Sequence, residues 1–193
     1  MNLPNKLSII RMVSAPVCMI LIAYPVFGDI VTPIVALVLF TAASLTDMFD
    51  GRIARKYGLI TDFGKFIDPV ADKMLVLGTM FSLVLARRTE PIASSVIFWC
   101  AFVIFVREIG ITSLRAVVMG KVDVAANKWG KRKTVMQMIA LHVAIVEPLF
   151  IRITNVNTMY IPTMVLLAVS AVFALISGII YLKAYMPYLD AGK

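Results

Sequence analysis

Two pairs of aspartates at the edges of hydrophobic stretches are the residues best suited to chemistry in this chain. Asp47 and Asp50 are three residues apart, and Asp68 and Asp72 are four residues apart. Helical residues at these offsets lie on one face, so each pair can present both carboxylates on the same side of a helix. A carboxylate at the edge of a membrane is costly unless something compensates its charge. The four aspartates are therefore predicted to form a functional site.

Residues with little or no side chain accompany both pairs. Gly51 and Ala54 share the helical face of the first pair, and Gly64 lies four residues before Asp68. Missing side chains let a ligand approach the backbone closely. This combination indicates a site where cations and a polyphosphate lie against the helices.

The four carboxylates also predict bound metal. They cannot all remain ionised in a small, partly dry site unless cations neutralise them. Hard oxygen ligands favour Mg²⁺ or Mn²⁺ over zinc, and two such ions about 3.5–4 Å apart form a known clamp for phosphoryl displacement. We therefore predict two divalent cations, Mg²⁺ or Mn²⁺. A transporter with an acidic relay is the non-enzymatic alternative, although relay acids are expected near mid-span.

The composition predicts that these residues are positioned by membrane helices. Of 193 residues, 61% are hydrophobic and 16% are charged, which is more apolar surface than a soluble domain of this size can bury. Six apolar runs each approach the ~20 residues that cross ~30 Å of hydrocarbon. They are Ser8–Phe27, Ile30–Thr46, Val70–Ala86, Pro91–Val106 (extendable to Val118), Val135–Ile151 and Thr158–Leu182. Their connections are short, so we predict one all-α domain, residues 1–193, with six transmembrane helices.

The basic residues are distributed unequally between the two ends of these spans. The chain has 19 Lys and Arg against 11 Asp and Glu, and a cytoplasmic N-terminus leaves only Arg87, Arg88 and Arg152 outside. This is the positive-inside pattern of a multi-pass protein. We predict a bacterial-type inner membrane, with both termini and the aspartate site on the cytoplasmic side. No basic surface is interleaved with exposed aromatics, so nucleic acid is not a predicted partner.

A second set of polar residues is predicted to converge on the side where the aspartates emerge. It consists of Arg107, Arg115, Lys131, Lys133 and Thr134. If Thr134 opens the fifth span, its hydroxyl and the free N–H groups of the helix N-terminus could hold an anion. A metal-bound diphosphate beside an anionic acceptor describes transfer of a lipid phosphate. Two plainer interpretations stay open: Arg107 pairs with Glu108, and the cluster binds anionic lipid headgroups.

Other polar residues near the site have structural interpretations. Asn5, Ser8 and Arg11 follow one slowly drifting helix face near the N-terminus. Asn5 could cap that helix, and Arg11 could extend its charge to the membrane surface. Asp68-Pro69 is typical of a helix start, with proline in the first turn.

Eight of these positions together resemble a known signature. The pattern Asp47-x-x-Asp50-Gly51-x-x-Ala54-Arg55, eight residues, then Gly64-x-x-x-Asp68-x-x-x-Asp72 is similar, without gap or substitution, to that of the CDP-alcohol phosphotransferase family. Leu3-Pro4-Asn5-x-x-Ser8-x-x-Arg11, Arg107-Glu108 and Gly130-Lys131-x-Lys133-Thr134 resemble the bacterial branch that forms phosphatidylglycerol phosphate. Ser8 stands where that branch often has threonine. The similarity spans essentially the whole chain.

The resemblance implies a six-helix, dimeric membrane enzyme whose site opens to the cytoplasmic leaflet. Two metals would be held by Asp47, Asp50, Asp68 and Asp72, with Asp72 as the general base. CDP-diacylglycerol would be bound by Asn5, Ser8, Arg11, Gly51, Ala54, Arg55 and Gly64. The sn-1 hydroxyl of glycerol 3-phosphate would attack the β-phosphorus and release CMP. The acceptor phosphate would lie against Arg107, Arg115, Lys131, Lys133 and Thr134.

The acceptor is the least specified part of this interpretation. The same chemistry could use inositol phosphate, or phosphatidylglycerol in a cardiolipin-type synthase. Serine fits poorly, because it needs no cluster of cations.

Overall fold

The structure, a computed structural model, is helical wherever it describes the chain. It describes the backbone of residues 2–57, 61–118 and 128–188, and in these ranges the side chains other than those of residues 3, 4, 47–57, 65 and 128. These ranges contain six α-helices, a 3₁₀ turn at Met186–Tyr188 and no β-strand. The helices are α1 Leu3–Ala23, α2 Val31–Tyr57, α3 Asp62–Ala86, α4 Pro91–Val118, α5 Lys128–Thr154 and α6 Ile161–Tyr185. The all-α prediction is confirmed for this part of the chain.

Five of the helices, α1 and α3 to α6, are long and apolar enough within the described residues to cross a membrane. In α2 the apolar stretch found there is shorter, Val31–Thr46, and the crossing by this helix stays a prediction. The chain is a helical membrane protein. Helices α2 to α5 extend beyond their apolar runs, mainly at the end of the bundle that carries the aspartates. Many of the predicted site residues therefore lie on helices rather than in loops.

α3 begins before the apolar run that predicted it. The Thr61 hydroxyl accepts a hydrogen bond from the Gly64 N–H at 3.0 Å, and Asp62 places a negative charge in the first turn. The prediction that the helix begins at Asp68-Pro69 is wrong, because Pro69 lies inside α3. Asp68 and Asp72 thus lie one turn apart within a helix that begins before both of them.

α1 and α5 also begin differently from expectation. Asn2 caps α1 by accepting a hydrogen bond from the Asn5 backbone N–H at 3.2 Å, so the capping role predicted for Asn5 is wrong. α5 begins at Lys128, which places Thr134 at the end of its second turn. The Thr134 hydroxyl donates to the Gly130 carbonyl at 3.1 Å. Thr134 is therefore not at a helix N-terminus, and that part of the anion-site prediction is wrong.

The position of α3 in the bundle is set mainly by its contacts with α1 and α4. This helix packs along α1 and against α4, while α6 packs against α4 and α5, and α2 against α1 and α5. Leu75, Met80 and Leu83 of α3 belong to the buried core. The α1–α3 contact is so close that a Cβ at Gly78 would lie 2.6 Å from the Met19 sulfur. This contact fixes α1 beside the aspartates of α3.

A buried carboxylate organises the opposite end of the bundle. Glu147 of α5 accepts hydrogen bonds from the Thr163 backbone N–H at 3.1 Å and from the hydroxyls of Thr163 and Thr158. A carboxylate at a helix N-terminus satisfies free N–H groups and interacts favourably with the helix dipole. Tyr160, the N-cap of α6, makes no side-chain cap of its own. Glu147 therefore caps α6 from a neighbouring helix.

Candidate active site

The N-terminal part of α3 meets α1 through polar contacts at Asp68. The Ser8 hydroxyl donates a hydrogen bond to Oδ1 of Asp68. The Thr61 hydroxyl donates to Oδ1 of Asn5 at 3.0 Å. A Cβ at Gly64 would lie 2.9 Å from that same Asn5 oxygen, so glycine permits this approach. The structure thus brings Asn5, Ser8 and Gly64 together beside Asp68.

Arg11 lies one helical turn after Ser8 and is buried, with 1% of its surface exposed. The interpretation that it extends to the membrane surface is therefore wrong. A buried guanidinium needs anionic or hydrogen-bonding partners, because water no longer solvates it. Arg11 is buried on the face of α1 that carries Ser8, and this position favours a role for Arg11 in the polar site around Asp68.

The first aspartate pair lies on α2, whose helical backbone continues to Tyr57. The helix thus continues past Thr46, where the predicted apolar run ends, and Asp47, Asp50 and Ala54 share a face. The side chains of this stretch lie outside the described residues. The predictions that fall there concern Asp47, Asp50, Gly51, Ala54 and Arg55. Contact between the two aspartate pairs consequently stays a prediction.

A cavity of about 250 Å³ opens beside Asp72, between α3, α4, α5 and α6. We call it the acceptor cavity, after the predicted acceptor residues that line it. All the predicted acceptor residues line it, namely Arg107, Arg115, Lys131, Lys133 and Thr134. Lys73 adds a fifth cation, while Asp72 and Glu108 are the acidic side chains that line it. The structure thus joins an aspartate of α3 to cations that are distant in sequence.

Glu108 joins two of these cations inside the cavity wall. It accepts a hydrogen bond from Nη1 of Arg107 at 2.8 Å and another from the ammonium of Lys133. Nη2 of Arg107 also donates to the Ser177 hydroxyl at 2.6 Å. A Cβ at Gly178 would lie 3.2 Å from the Arg107 side chain, so α6 comes close to α4 at this point. The Arg107–Glu108 pair expected as a plainer interpretation is present, but it lies within the cavity and leaves it positively charged.

Tyr181 of α6 supports the arginines through its aromatic face. The centre of its ring lies 4.6 Å from the Arg115 guanidinium carbon and 5.8 Å from that of Arg107. Tyr185 stacks on it at 5.9 Å. Sequence reasoning missed Tyr181 by treating it as part of an apolar run. The available signal was the i, i+4 spacing of Ser177 and Tyr181 at the polar end of that run.

Gln137 is a second residue that sequence reasoning missed. It lines the acceptor cavity, is 2% exposed, and its Nε2 has no hydrogen-bond partner among the described residues. Buried amide groups are normally hydrogen-bonded, so this donor is suited to a polar substrate. Its position one helical turn after Lys133 could have indicated that it shares the same face.

Comparison with known proteins covers most of the chain. A model of the CDP-alcohol phosphatidyltransferase family matches residues 1–181. The chain belongs to the CDP-alcohol phosphatidyltransferase family. The family prediction and the prediction of a transferase are thus confirmed, and the ion-coupled transporter is wrong.

Curated relatives extend over most of the chain. A Rickettsia bellii protein named CDP-diacylglycerol–glycerol-3-phosphate 3-phosphatidyltransferase is 36% identical over 188 residues, covering 97% of each chain. A Bacillus subtilis protein of the same name is 41% identical over 150 residues, 72% of this chain and 74% of the relative. A Mycobacterium tuberculosis protein named probable phosphatidylglycerophosphate synthase is 31% identical over 180 residues, 93% of this chain and 79% of the relative.

CDP-alcohol phosphatidyltransferases generally depend on divalent cations, and the donor set here fits such ions. Asp68 and Asp72 offer hard carboxylate oxygens one turn apart on α3. Asp68 accepts from Ser8 through Oδ1, which leaves its other oxygen for a cation. The described side chains form no group of three or more metal-binding residues, and Asp47 and Asp50 lie outside them. Oxygen-only ligation of this kind favours Mg²⁺ or Mn²⁺.

Proposed function

We propose that the protein transfers the phosphatidyl group of CDP-diacylglycerol to the sn-1 hydroxyl of glycerol 3-phosphate, forming phosphatidylglycerol phosphate and CMP. The observation that carries the proposal is that Asp72 lines the same cavity as five cationic side chains. This combination suits an acceptor that brings both a reactive hydroxyl and an anionic group. The names of the relatives from Rickettsia bellii and Bacillus subtilis support the same acceptor.

Asp72 serves as the general base in this reaction. The acceptor oxygen forms a bond to the β-phosphorus, the bond from that phosphorus to the bridging oxygen breaks, and CMP leaves with the bridging oxygen. The hydroxyl proton passes to the Asp72 carboxylate. A positioned base typically contributes ~10²–10⁴-fold to such a step. Asp72 lies one turn beyond Asp68 on α3, so it faces the acceptor from the side of the donor phosphates.

The donor side of the site is formed by α1, α2 and α3. Two divalent cations, Mg²⁺ or Mn²⁺, are held by Asp47, Asp50, Asp68 and Asp72, and when bound they neutralise the charge of the diphosphate. CDP-diacylglycerol is bound by Asn5, Ser8, Arg11, Gly51, Ala54, Arg55 and Gly64. The hydrogen bond from Ser8 to Asp68 and the close approach of Gly64 to Asn5 support this grouping.

The acceptor phosphate is held by cations that the protein has already fixed in place. They are Arg107, Arg115, Lys131 and Lys133, with the Thr134 hydroxyl on the same wall. Glu108 holds Arg107 and Lys133, and Tyr181 holds Arg115. Binding groups whose positions are set in advance lose less freedom when the substrate arrives. Nε2 of Gln137 is available to the acceptor as an additional donor.

Inositol phosphate is the second candidate acceptor, because it shares the hydroxyl and phosphate for which the cavity is suited. Phosphatidylglycerol is less favoured. It would bring a second pair of acyl chains to a cavity of about 250 Å³ with charged walls.

The proposed site lies at the cytoplasmic face of a bacterial inner membrane, with both termini inside and two copies of the chain forming a homodimer. The distribution of charge supports this orientation. The acceptor cavity collects five cations at one end of the bundle, whereas Arg87, Arg88 and Arg152 lie at the other.

Release of CMP by purified protein tests the proposal. CDP-diacylglycerol and Mg²⁺ are supplied with glycerol 3-phosphate, glycerol, inositol phosphate or phosphatidylglycerol in turn. Glycerol is the matched control, because it keeps the hydroxyls and lacks the phosphate. We expect the highest kcat/KM with glycerol 3-phosphate and little turnover with glycerol. Equal turnover with these two acceptors would show that the cation cluster does not select the acceptor.

A further inference from the structure

A second polar cavity lies at the end of the bundle opposite the acceptor cavity, and the proposed reaction makes no use of it. Its volume is about 350 Å³, and α1, α2, α3, α5 and their adjoining turns enclose it together with Tyr160. We call it the distal cavity. Tyr24 and Tyr160 line it, and tyrosines are enriched where a membrane meets water. The distal cavity therefore lies at the level expected for lipid headgroups.

Arg87 lines this cavity and is 7% exposed. Its Nη2 donates to the Ala144 carbonyl at 3.2 Å, and its guanidinium carbon lies 4.3 Å from the centre of the Tyr160 ring. Nε is buried and has no hydrogen-bond partner among the described residues. The ion pairs found among those residues do not include Arg87. Burial lowers the pKa of Arg87, as expected for a charge that is held away from water.

The buried carboxylate of the facing helix is already engaged elsewhere. Glu147 accepts hydrogen bonds from Thr158 and from both the N–H and the hydroxyl of Thr163. Its charge attracts Arg87 at longer range, as does the charge of Glu90. A guanidinium has five N–H donors in a planar fork that matches the oxygens of phosphate. Arg87 therefore presents unused donors at the wall of a cavity.

The backbone beside Arg87 is held in an unfavourable conformation. The φ angles of Met159 and Tyr160 are 52° and 56°, in the left-handed region that residues with side chains seldom adopt. Such conformations persist where the surrounding structure enforces them, and they are frequent at binding sites. Here the conformation accompanies the placement of the Tyr160 ring across the guanidinium of Arg87.

From these contacts we propose that the distal cavity binds a phosphate-bearing anion, with Arg87 as the buried anchor and Arg152 at the rim. The Arg152 side chain is 64% exposed and lies 3.7 Å from Asp29, so it can exchange this solvated pair for a ligand. The phosphate comes either from the headgroup of a lipid in the adjacent leaflet or from free phosphate in solution. Leu21 and Pro148 line the same cavity, which favours a lipid.

Titration calorimetry with the purified full-length protein tests this proposal. Phosphate binding in the acceptor cavity is identified separately by repeating the titrations with Lys133→Ala, because Lys133 lines that cavity and not the distal one. The probes are dihexanoylphosphatidylglycerol and inorganic phosphate, with titrations into detergent alone subtracted. Arg87→Gln and Arg152→Gln are compared with Arg88→Gln. Arg88 is the matched control, because it adjoins Arg87, is exposed and does not line the cavity.

We expect Arg87→Gln to weaken binding of the probe about tenfold or more, Arg152→Gln to weaken it several-fold, and Arg88→Gln to leave it unchanged. Tighter binding of the lipid than of inorganic phosphate assigns the headgroup, and equal binding assigns free phosphate. If Arg87→Gln does not fold, the affinity of Arg152→Gln for the probe tests the proposal instead. Equal affinities in all four proteins, or no binding of either probe to the unmodified protein, would overturn the proposal. Arg87 would then be only a tether between α3 and α5.

Discussion

The Lys133 ammonium of α5 and the Glu108 carboxylate of α4 form an ion pair in the wall of the acceptor cavity. Their side chains are 7% and 17% exposed, and Glu108 is shared with Arg107. A pair this deep needs further hydrogen bonds to offset the loss of water around both charges. One carboxylate between two cations leaves an excess of positive charge, which suits a cavity that receives an anion.

Lys133→Ala is therefore expected to raise the KM for glycerol 3-phosphate about ten- to hundredfold, with a smaller effect on the KM for CDP-diacylglycerol. The physical reason is that a hydrogen bond to a charged group contributes about 1.5–3 kcal/mol. Arg132→Ala is the control, because Arg132 immediately precedes Lys133 but its guanidinium carbon lies 5.1 Å from the centre of the Trp129 ring, and it does not line the cavity. Initial rates with both substrates varied provide the measurement. Similar KM values in the two variants would favour the alternative that the cations bind lipid headgroups.

Removal of divalent cations is expected to abolish turnover, and Mg²⁺ or Mn²⁺ should restore it. Asp47→Ala and Asp50→Ala should each lose nearly all activity, because a cation beside the diphosphate would then be under-coordinated. Glu90→Ala, which removes an exposed acid at the opposite end of the bundle, is the control. CMP release with and without EDTA measures the effect. Full activity in excess EDTA would contradict the assignment of a metal site.

Gly64→Ala should lower both activity and thermal stability. The added Cβ would lie 2.9 Å from Asn5 Oδ1 and 3.2 Å from Thr61 Oγ1, so α1 and α3 must separate where Ser8 meets Asp68. Gly110→Ala is the matched control in α4, since a Cβ there meets no heavy atom within 4 Å. At such an exposed helical position alanine is favoured over glycine by about 1 kcal/mol. Melting temperature and turnover of both variants are measured, and an unchanged Gly64→Ala protein would contradict the close α1–α3 contact.

The sequence was sufficient to predict the family and its transferase activity, but not the helix ends. Hydropathy marks the hydrocarbon region, whereas α3 begins at a polar cap, Thr61, before its apolar run. The predicted cations do line one cavity. Charged side chains in a membrane bundle avoid the hydrocarbon and face the interior of the bundle or a water-filled cavity. Sequence reasoning missed Tyr181 because a tyrosine at the end of an apolar run does not reveal that its ring lies under Arg115. Such a contact depends on how α4 and α6 pack.

Tyr181 is proposed to act as a positioning residue for Arg115. Tyr181→Leu should raise the KM for glycerol 3-phosphate about two- to thirtyfold, as expected for loss of a cation–π contact of about 0.5–2 kcal/mol. Tyr181→Phe keeps the aromatic face and should retain most of the affinity. The kcat and the KM for CDP-diacylglycerol should change little in either variant. Equal effects of leucine and phenylalanine on the KM for glycerol 3-phosphate would show that the ring face is not what holds Arg115.

Asp72 is expected to differ in its role from the other three aspartates. An alcohol attacks phosphorus poorly unless its proton leaves as the new bond forms, and Asp72 lies in the acceptor cavity where it can take that proton. Asp72→Asn keeps the shape and one coordinating oxygen but loses the basic carboxylate. We expect kcat to fall ~10²–10⁴-fold while CDP-diacylglycerol still binds in the presence of Mg²⁺. Measuring kcat and donor affinity on the same variant decides between two roles. If binding is lost together with turnover, Asp72 acts chiefly as a metal ligand, and the proton must pass to another group.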